Sequence, residues 1–202
     1  MSKGGVFIVS GPSGSGKDTL LAELFKKRPE IGFSISSITR DMRVGENQGE
    51  KYNFISREAF EKMIENDELL EYNVYVGNYY GTPKAPVINA VESGKDFIIE
   101  VDVNGADQIR KKLPEAVSIF IMPPSFEELK RRLSGRGTET EEVISQRMAS
   151  AMGEIKRAAE YDYIVVNDDI DTAVDHIISV ISSNRLLLEN QKHIIDEVLE
   201  KC

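Results

Sequence analysis

The residues with the plainest chemical purpose are Gly11-Pro12-Ser13-Gly14-Ser15-Gly16-Lys17. They match G-x-x-x-x-G-K and follow an apolar run, Val6 to Ser10. After them comes a segment, Thr19 to Lys27, whose Leu20, Leu21, Leu24 and Phe25 share one helical face. Glycines in such a turn let successive backbone N–H groups point inward around a phosphate. The positive end of the following helix adds to that field, and Lys17 reaches the β- and γ-oxygens. A glycine-rich turn alone is weak evidence; strand, complete loop, lysine and helix in this order mark a nucleotide phosphate site. The residue after the lysine is usually Ser or Thr, whose hydroxyl ligates magnesium. Here it is Asp18, which could hold the ion through water or cap the helix with its negative charge, with Thr19 beside it.

A donor phosphate site calls for an acceptor site opposite. Ser36-Ser37-Ile38-Thr39-Arg40-Asp41-Met42-Arg43 places two arginines three apart in an irregular segment. Arginine forks bind phosphate oxygens bidentately, although a solvated surface pair fits these two residues equally well. Tyr52, Tyr79 and Tyr80 supply hydroxyls and flat faces for a base. Glu71, in the apolar stretch Leu69 to Tyr72, is either an edge-strand charge or an acceptor facing a base. Guanine offers N1–H and N2–H₂ as adjacent donors that a carboxylate matches with both oxygens; adenine would leave it unpaired, a mismatch that discriminates strongly when buried. Glu100 and Asp102 alternate at the end of the run Phe97 to Val101 and point to the same side. They are placed to orient magnesium water or the acceptor, or are simply solvated loop acids. Arg132 and Arg136 lie four apart near a polar, glycine-bearing stretch, and Arg147 falls in the next helical segment. These are either solvated helix charges or lid arginines that neutralise a transferring phosphoryl group while closure excludes water.

The elements that must carry these groups alternate. Val6 to Ser10, Phe97 to Val101, Val117 to Met122 and Tyr163 to Val166 read as continuously apolar, buried strands. Helical patterns over roughly 104–112, 126–134 and 141–160 separate them, and Ser125 with Glu128 three residues on marks a helix start. The fold class is α/β: a P-loop NTPase-type parallel sheet flanked by helices. Residues 33–82 break the rhythm with short strand-like pieces and one helix near 57–66, and read as an inserted antiparallel lobe. The tail beyond Asp171 reads as one or two helices, packed on the domain or on a second subunit, with the first expected; monomer and homo-oligomer both stay open. A net charge of -9 argues against a nucleic-acid binder, and the lone cysteine, Cys202, excludes a disulfide framework. His176 and His193 lie far apart in the tail and read as ordinary helix residues. No run approaches the roughly 18 apolar residues of a membrane span, so a cytoplasmic protein is expected.

Taken together, Gly11 to Lys17, Ser36-Ser37-Ile38-Thr39-Arg40, Arg43-Val44-Gly45-Glu46, Tyr52-Asn53-Phe54, Gly77-Asn78-Tyr79-Tyr80-Gly81, Gly135-Arg136-Gly137-Thr138-Glu139-Thr140-Glu141 and Val166-Asn167-Asp168-Asp169 give a chain that resembles the guanylate kinase family over residues 5 to 183. The resemblance implies phosphorylation of GMP by ATP with Mg²⁺ as cofactor. It implies a single domain made of a core (1–32, 83–125, 160–202), a mixed α/β GMP-binding lobe (33–82) and a helical lid (126–159). It implies that Arg40, Arg43, Tyr52 and Tyr80 hold the GMP phosphate and that Ser36, Glu71, Thr82 and Asp102 read guanine. Lys17, Arg132, Arg136 and Arg147 would grip the donor phosphates and the transferring group, and Asn167 would lie near adenine. Magnesium would be held by ATP phosphates and water near Asp18, Thr19 and Asp102. The departures are Asp18, Met42 where proline is frequent, Thr82 where serine is common, and a tail longer than the family core needs. Two rivals share much of this pattern: a kinase for another small molecule on the same scaffold, and a phosphopeptide-binding module that has lost catalysis.

Overall fold

The computed structural model describes residues 3–134 and 140–200. Five strands form one parallel sheet in the order β2-β7-β1-β8-β9: Gly32–Phe33, Phe97–Glu100, Val6–Ser10, Val117–Met122 and Tyr163–Val166. Helices cover both faces, which is why the central strands are apolar at every position. Side chains alternate across a strand, so Phe7 and Val9 pack beneath α1 (Lys17–Lys27) and α7 (Ile170–Arg185), while Val6 and Ile8 pack beneath α3 (Lys84–Glu92) and α4 (Val103–Lys112). β9 departs from the expected burial. Val165 is buried, but Tyr163, Ile164 and Val166 are 44%, 53% and 47% exposed. It pairs only with β8, as the sheet's edge strand.

The segment between β2 and α3 builds a second sheet, ordered β4-β3-β6-β5: Tyr52–Phe54, Ser36–Ile38, Asn78–Pro83 and Leu69–Tyr75, with α2 (Arg57–Glu65) beside it. The expectation of an antiparallel lobe needs correcting. β3 pairs antiparallel with β6, and β6 with β5, but β3 and β4 run parallel. Residues 39–51 form the long connection that a parallel pair requires, and the Arg40–Arg43 segment lies in it. α5 (Phe126–Ser134) and α6 (Glu141–Lys156) form a third unit around Leu129, Leu133, Met148 and Ala151. The start signal of α5 is half realised: Ser125 Oγ accepts from Glu128 N at 3.1 Å, but the Glu128 carboxylate turns to Arg131 and Arg132 instead of back to the cap.

The tail is two helices, α7 and α8 (Leu188–Leu199). α7 buries Ala173, Val174, Ile177 and Ile181 against the sheet. α8 does not pack on the domain as expected: none of its residues is buried, and Leu188, Ile194 and Ile195 are exposed. Among the described residues no helix is long and apolar enough to cross a membrane.

α7 is tied to the sheet by Asp96, which is 2% exposed and accepts from Gly5 N at 2.9 Å and from Arg185 Nε at 2.7 Å. Asp96→Ala leaves the Gly5 N–H without its partner. We expect it to lower stability by about 2 kcal/mol, seen as a lower urea midpoint at constant slope; a loss below about 0.5 kcal/mol would show the tie to be ornamental.

Candidate active site

The loop between β1 and α1 curls because Gly14 and Gly16 hold φ of 85° and 86°, a region costly to residues with a Cβ. A Cβ on Gly16 would also meet Asn167 Nδ2 at 2.5 Å. Gly16 is the N-cap of α1 and makes no side-chain cap bond; Asp18 is an exposed acid in the first turn, where its charge complements the helix's positive end. Lys17 Nζ donates to Gly11 O at 2.6 Å, which keeps the ammonium within the loop's curl.

Three side chains from distant elements brace this loop. Asn167, at the end of β9 and 3% exposed, donates from Nδ2 to Ser15 O at 2.8 Å. Arg132 of α5 donates to Ser15 O at 3.2 Å and to Asn167 O at 3.0 Å, while its Nε is held by Glu128 at 2.7 Å. Arg131 and Arg132 together hold the Glu128 carboxyl down at about 2. Arg147 of α6 donates to Ser13 Oγ at 2.7 Å. Thus Asn167, expected beside a base, is first a strut of the phosphate loop. Arg136 lies outside the described residues.

A cleft of about 1190 Å³ runs from this loop to the inserted lobe. Gly11, Ser13, Gly14, Gly16, Lys17, Asp18 and Thr19 line one end; Ser36, Tyr52, Glu71 and Tyr80 line the other; Glu100, Asp102, Arg132, Arg147 and Asn167 stand between. Pro12 and Ser15 are buried behind the loop, and Thr82 behind Glu71.

Arg40 is 13% exposed and forms a fork with Glu46 at 2.6 and 2.7 Å. Its guanidinium lies 5.6 Å from the Tyr52 ring centroid, and the Tyr80 ring meets Tyr52 edge-on at 6.5 Å. Arg40 holds the Glu46 carboxyl at about 2, and Glu46 pushes the guanidinium above its usual range. Glu46 also accepts from Arg43 N at 2.8 Å. The structure therefore gathers Arg40, Tyr52 and Tyr80, and leaves the Arg43 side chain exposed beside them. The pair is not a bare surface pair, because a carboxylate aims the first arginine.

Glu71 is 6% exposed, and Thr82 Oγ1 donates to its Oε1 at 2.7 Å. Burial pushes its carboxyl up to about 7 against the opposing pull of the Thr82 hydrogen bond, with Asp102 adding to the rise. Glu100 and Asp102 do not act as the matched pair expected. Asp102 is the N-cap of α4, accepting from Asn104 N and Gly105 N at 2.8 Å each, on the Glu71 side. Glu100 instead faces Lys17 and Asp18; burial pushes its carboxyl up, Lys17 opposes the rise and Asp18 adds to it. Cleft residues that the sequence did not single out include Lys51, Asn73 and Glu154. Lys51 directly precedes Tyr52 and reaches 3.8 Å from Asp18, a contact that adjacency to Tyr52 hinted at. Glu154 showed no signal, since its place depends on how α6 lies over the cleft.

A glycine loop between a parallel strand and a helix, facing a second pocket with an aimed arginine and a buried carboxylate, defines a P-loop protein that takes two phosphorylated ligands in one cleft. The family model described as guanylate kinase matches residues 3–184. A guanylate kinase of Carboxydothermus hydrogenoformans is 50% identical over 186 residues, covering 92% of this chain and 91% of that protein. One of Escherichia coli strain K12 is 45% identical over 203 residues, covering 100% and 98%. The crystal structure of guanylate kinase from Anaplasma phagocytophilum matches with a TM-score of 0.75 at 32% identity, covering 94% of this chain and 90% of that one. The chain belongs to the guanylate kinase family.

Proposed function

We propose that this chain transfers the γ-phosphoryl of ATP to the phosphate of GMP, giving ADP and GDP, with the loop end of the cleft holding the donor and the lobe end the acceptor. The observation that carries the base assignment is Glu71: a carboxylate buried at the acceptor end, held by Thr82, offers two acceptor oxygens to the N1–H and N2–H₂ donors of guanine. Ser36 and Asp102 border the same pocket. Arg40, Arg43, Tyr52 and Tyr80 take the acceptor phosphate, whose oxygens compete with Glu46 for the Arg40 fork.

At the donor end, backbone N–H groups of the loop between Ser13 and Thr19 cradle the β- and γ-oxygens, and Lys17 leaves Gly11 O for them. Arg132 and Arg147, both bonded to the loop, neutralise the charge on the transferring group, with Arg136 of the lid assigned the same task. The acceptor oxygen is already anionic, so no general base is needed, and the chain's task is to orient, to neutralise and to exclude water.

Magnesium fits this site through Asp18 and Glu100. Both carboxyls line the cleft with the loop lysine and offer hard oxygen donors, whereas one Asp102 oxygen is spent on the α4 cap. When bound, the ion supplies charge neutralisation at the donor phosphates, with Thr19 beside it. Among the described residues no group of three or more His, Cys, Asp or Glu could hold a metal, so such an ion would draw most of its ligands from phosphate and water.

A coupled ADP-release assay comparing GMP, IMP, AMP and CMP tests the assignment. GMP is expected to exceed AMP by about 10⁴-fold in kcat/KM, the scale for a buried hydrogen-bonding site left unpaired. Equal rates with GMP and AMP would overturn it.

A further inference from the structure

Glu71 must present its carboxylate at one angle to be read by a base, yet it lies on β5, the edge strand of the lobe sheet, at a register shift between Leu69 and Glu71. An edge strand with a bulge is a poor platform on its own. What lies behind it is α4 of the core. Three residues of α4 at helical spacing, Gly105, Gln108 and Lys112, face this stretch of β5.

Each makes a different contact. Lys112 Nζ donates to Leu69 O at 2.7 Å. Gln108 uses both ends of its amide on the residue after Glu71: Oε1 accepts from Tyr72 N at 3.2 Å, and Nε2 donates to Tyr72 O at 3.0 Å. That double bond pattern is what a neighbouring strand would offer, supplied by one side chain. Gly105 is buried in the first turn of α4 and lies directly against Glu71: a Cβ there would stand 3.2 Å from Glu71 Oε2 and 3.1 Å from Val101 Cβ. Glycine is among the poorest residues for a helix, so its place in the turn is explained by what it leaves room for.

We infer that Gly105 and Gln108 are positioning residues for guanine recognition: Gln108 fixes β5 in register against α4, and Gly105 leaves the gap in which the Glu71 carboxylate rests against the helix start. A methyl group at 105 displaces that carboxylate by a few tenths of an ångström toward the cleft, away from the angle at which both oxygens meet guanine. This rests on Glu71 being the base reader, as proposed above.

The test uses Gly105→Ala, Gln108→Leu and, as a control, Glu71→Gln in the full chain. Both positioning variants are expected to raise KM for GMP about tenfold, with kcat at saturating GMP and KM for ATP within about twofold of the parent. The preference for GMP over IMP, which lacks the 2-amino donor, should narrow by about threefold or more. Gly105→Ala should melt no lower than the parent by more than about 3 °C, since alanine favours the helix. That combination separates positioning from simple destabilisation. A KM for GMP within about twofold of the parent in either variant, while Glu71→Gln raises it, removes that residue's role. An unchanged KM in Glu71→Gln removes the base-reading assignment and this inference with it.

Discussion

Replacing Lys17 by methionine is expected to lower kcat about 10³-fold while leaving the melting midpoint within about 3 °C of the parent. Lys17 opens α1 and is half-buried, and its side-chain hydrogen bonds go to backbone carbonyls of its own loop, Gly11 O at 2.6 Å and Pro12 O at 3.5 Å. Neither contact holds distant elements together; that task falls to Asn167 and Arg132. The loop fold should therefore survive, and its N–H groups should still bind ATP. What is lost is a positive charge over the oxygen that gathers charge as the phosphoryl group moves, in a cleft from which water is excluded. About 4 kcal/mol of barrier corresponds to the expected rate loss. Steady-state kinetics beside thermal melting measures both halves. A kcat within about tenfold of the parent would mean that the arginines suffice without the lysine.

The second large effect is on pH. Glu71 is raised to about 7 by burial, yet guanine is read by the ionised carboxylate. GMP binding must then expel a proton, and KM for GMP falls as pH rises. At pH 6 about nine-tenths of the pockets are protonated and at pH 8 about one-tenth, so KM at pH 6 should be about tenfold higher. The phosphate of GMP also titrates near pH ~6, and Glu71→Gln separates the two: it keeps the phosphate's dependence and loses the carboxyl's. Calorimetry at pH 7 in buffers of different ionisation heat should find about half a proton released per GMP in the parent, and none from this source in the variant. Equal release in both would place the titrating group elsewhere.

The same shift sets a stability trend. The folded value lies above the unfolded one of 4.5, so the contribution of Glu71 is intact at low pH and declines as pH rises through 7. By pH 8 the cost approaches about 3 kcal/mol, and Glu71→Gln should recover much of it there and little at pH 4.5. A recognition group held ready for its ligand is here a burden on the fold that holds it.

The loop and the central strands were legible because local pattern determines them. A complete phosphate loop needs a strand before and a helix after, and Phe7 to Val9 are apolar at every position because both faces of β1 are covered. Glu71 was legible as one of two alternatives; that it is buried although β5 is an edge strand was not legible, because burial is a property of the assembled lobe. What local pattern could not carry was direction. Glu100 and Asp102 alternate along the chain, yet β7 ends after Glu100, and Asp102 turns to cap α4 while Glu100 faces Asp18. The parallel pairing of β3 and β4 was hidden because both strands are three residues long and their connection has no helix to announce it. The Gln108 contact spans 36 residues and leaves no periodic trace.

Asn167 Nδ2 reaches Ser15 O across 152 residues of chain. Synthesis runs from the N-terminal side, so the segment that will cradle phosphate is made 152 residues before the side chain that braces it. A growing chain therefore carries its signature loop through that whole stretch without the strut that sets its shape. The braced loop is a product of the assembled domain, not of the motif's appearance.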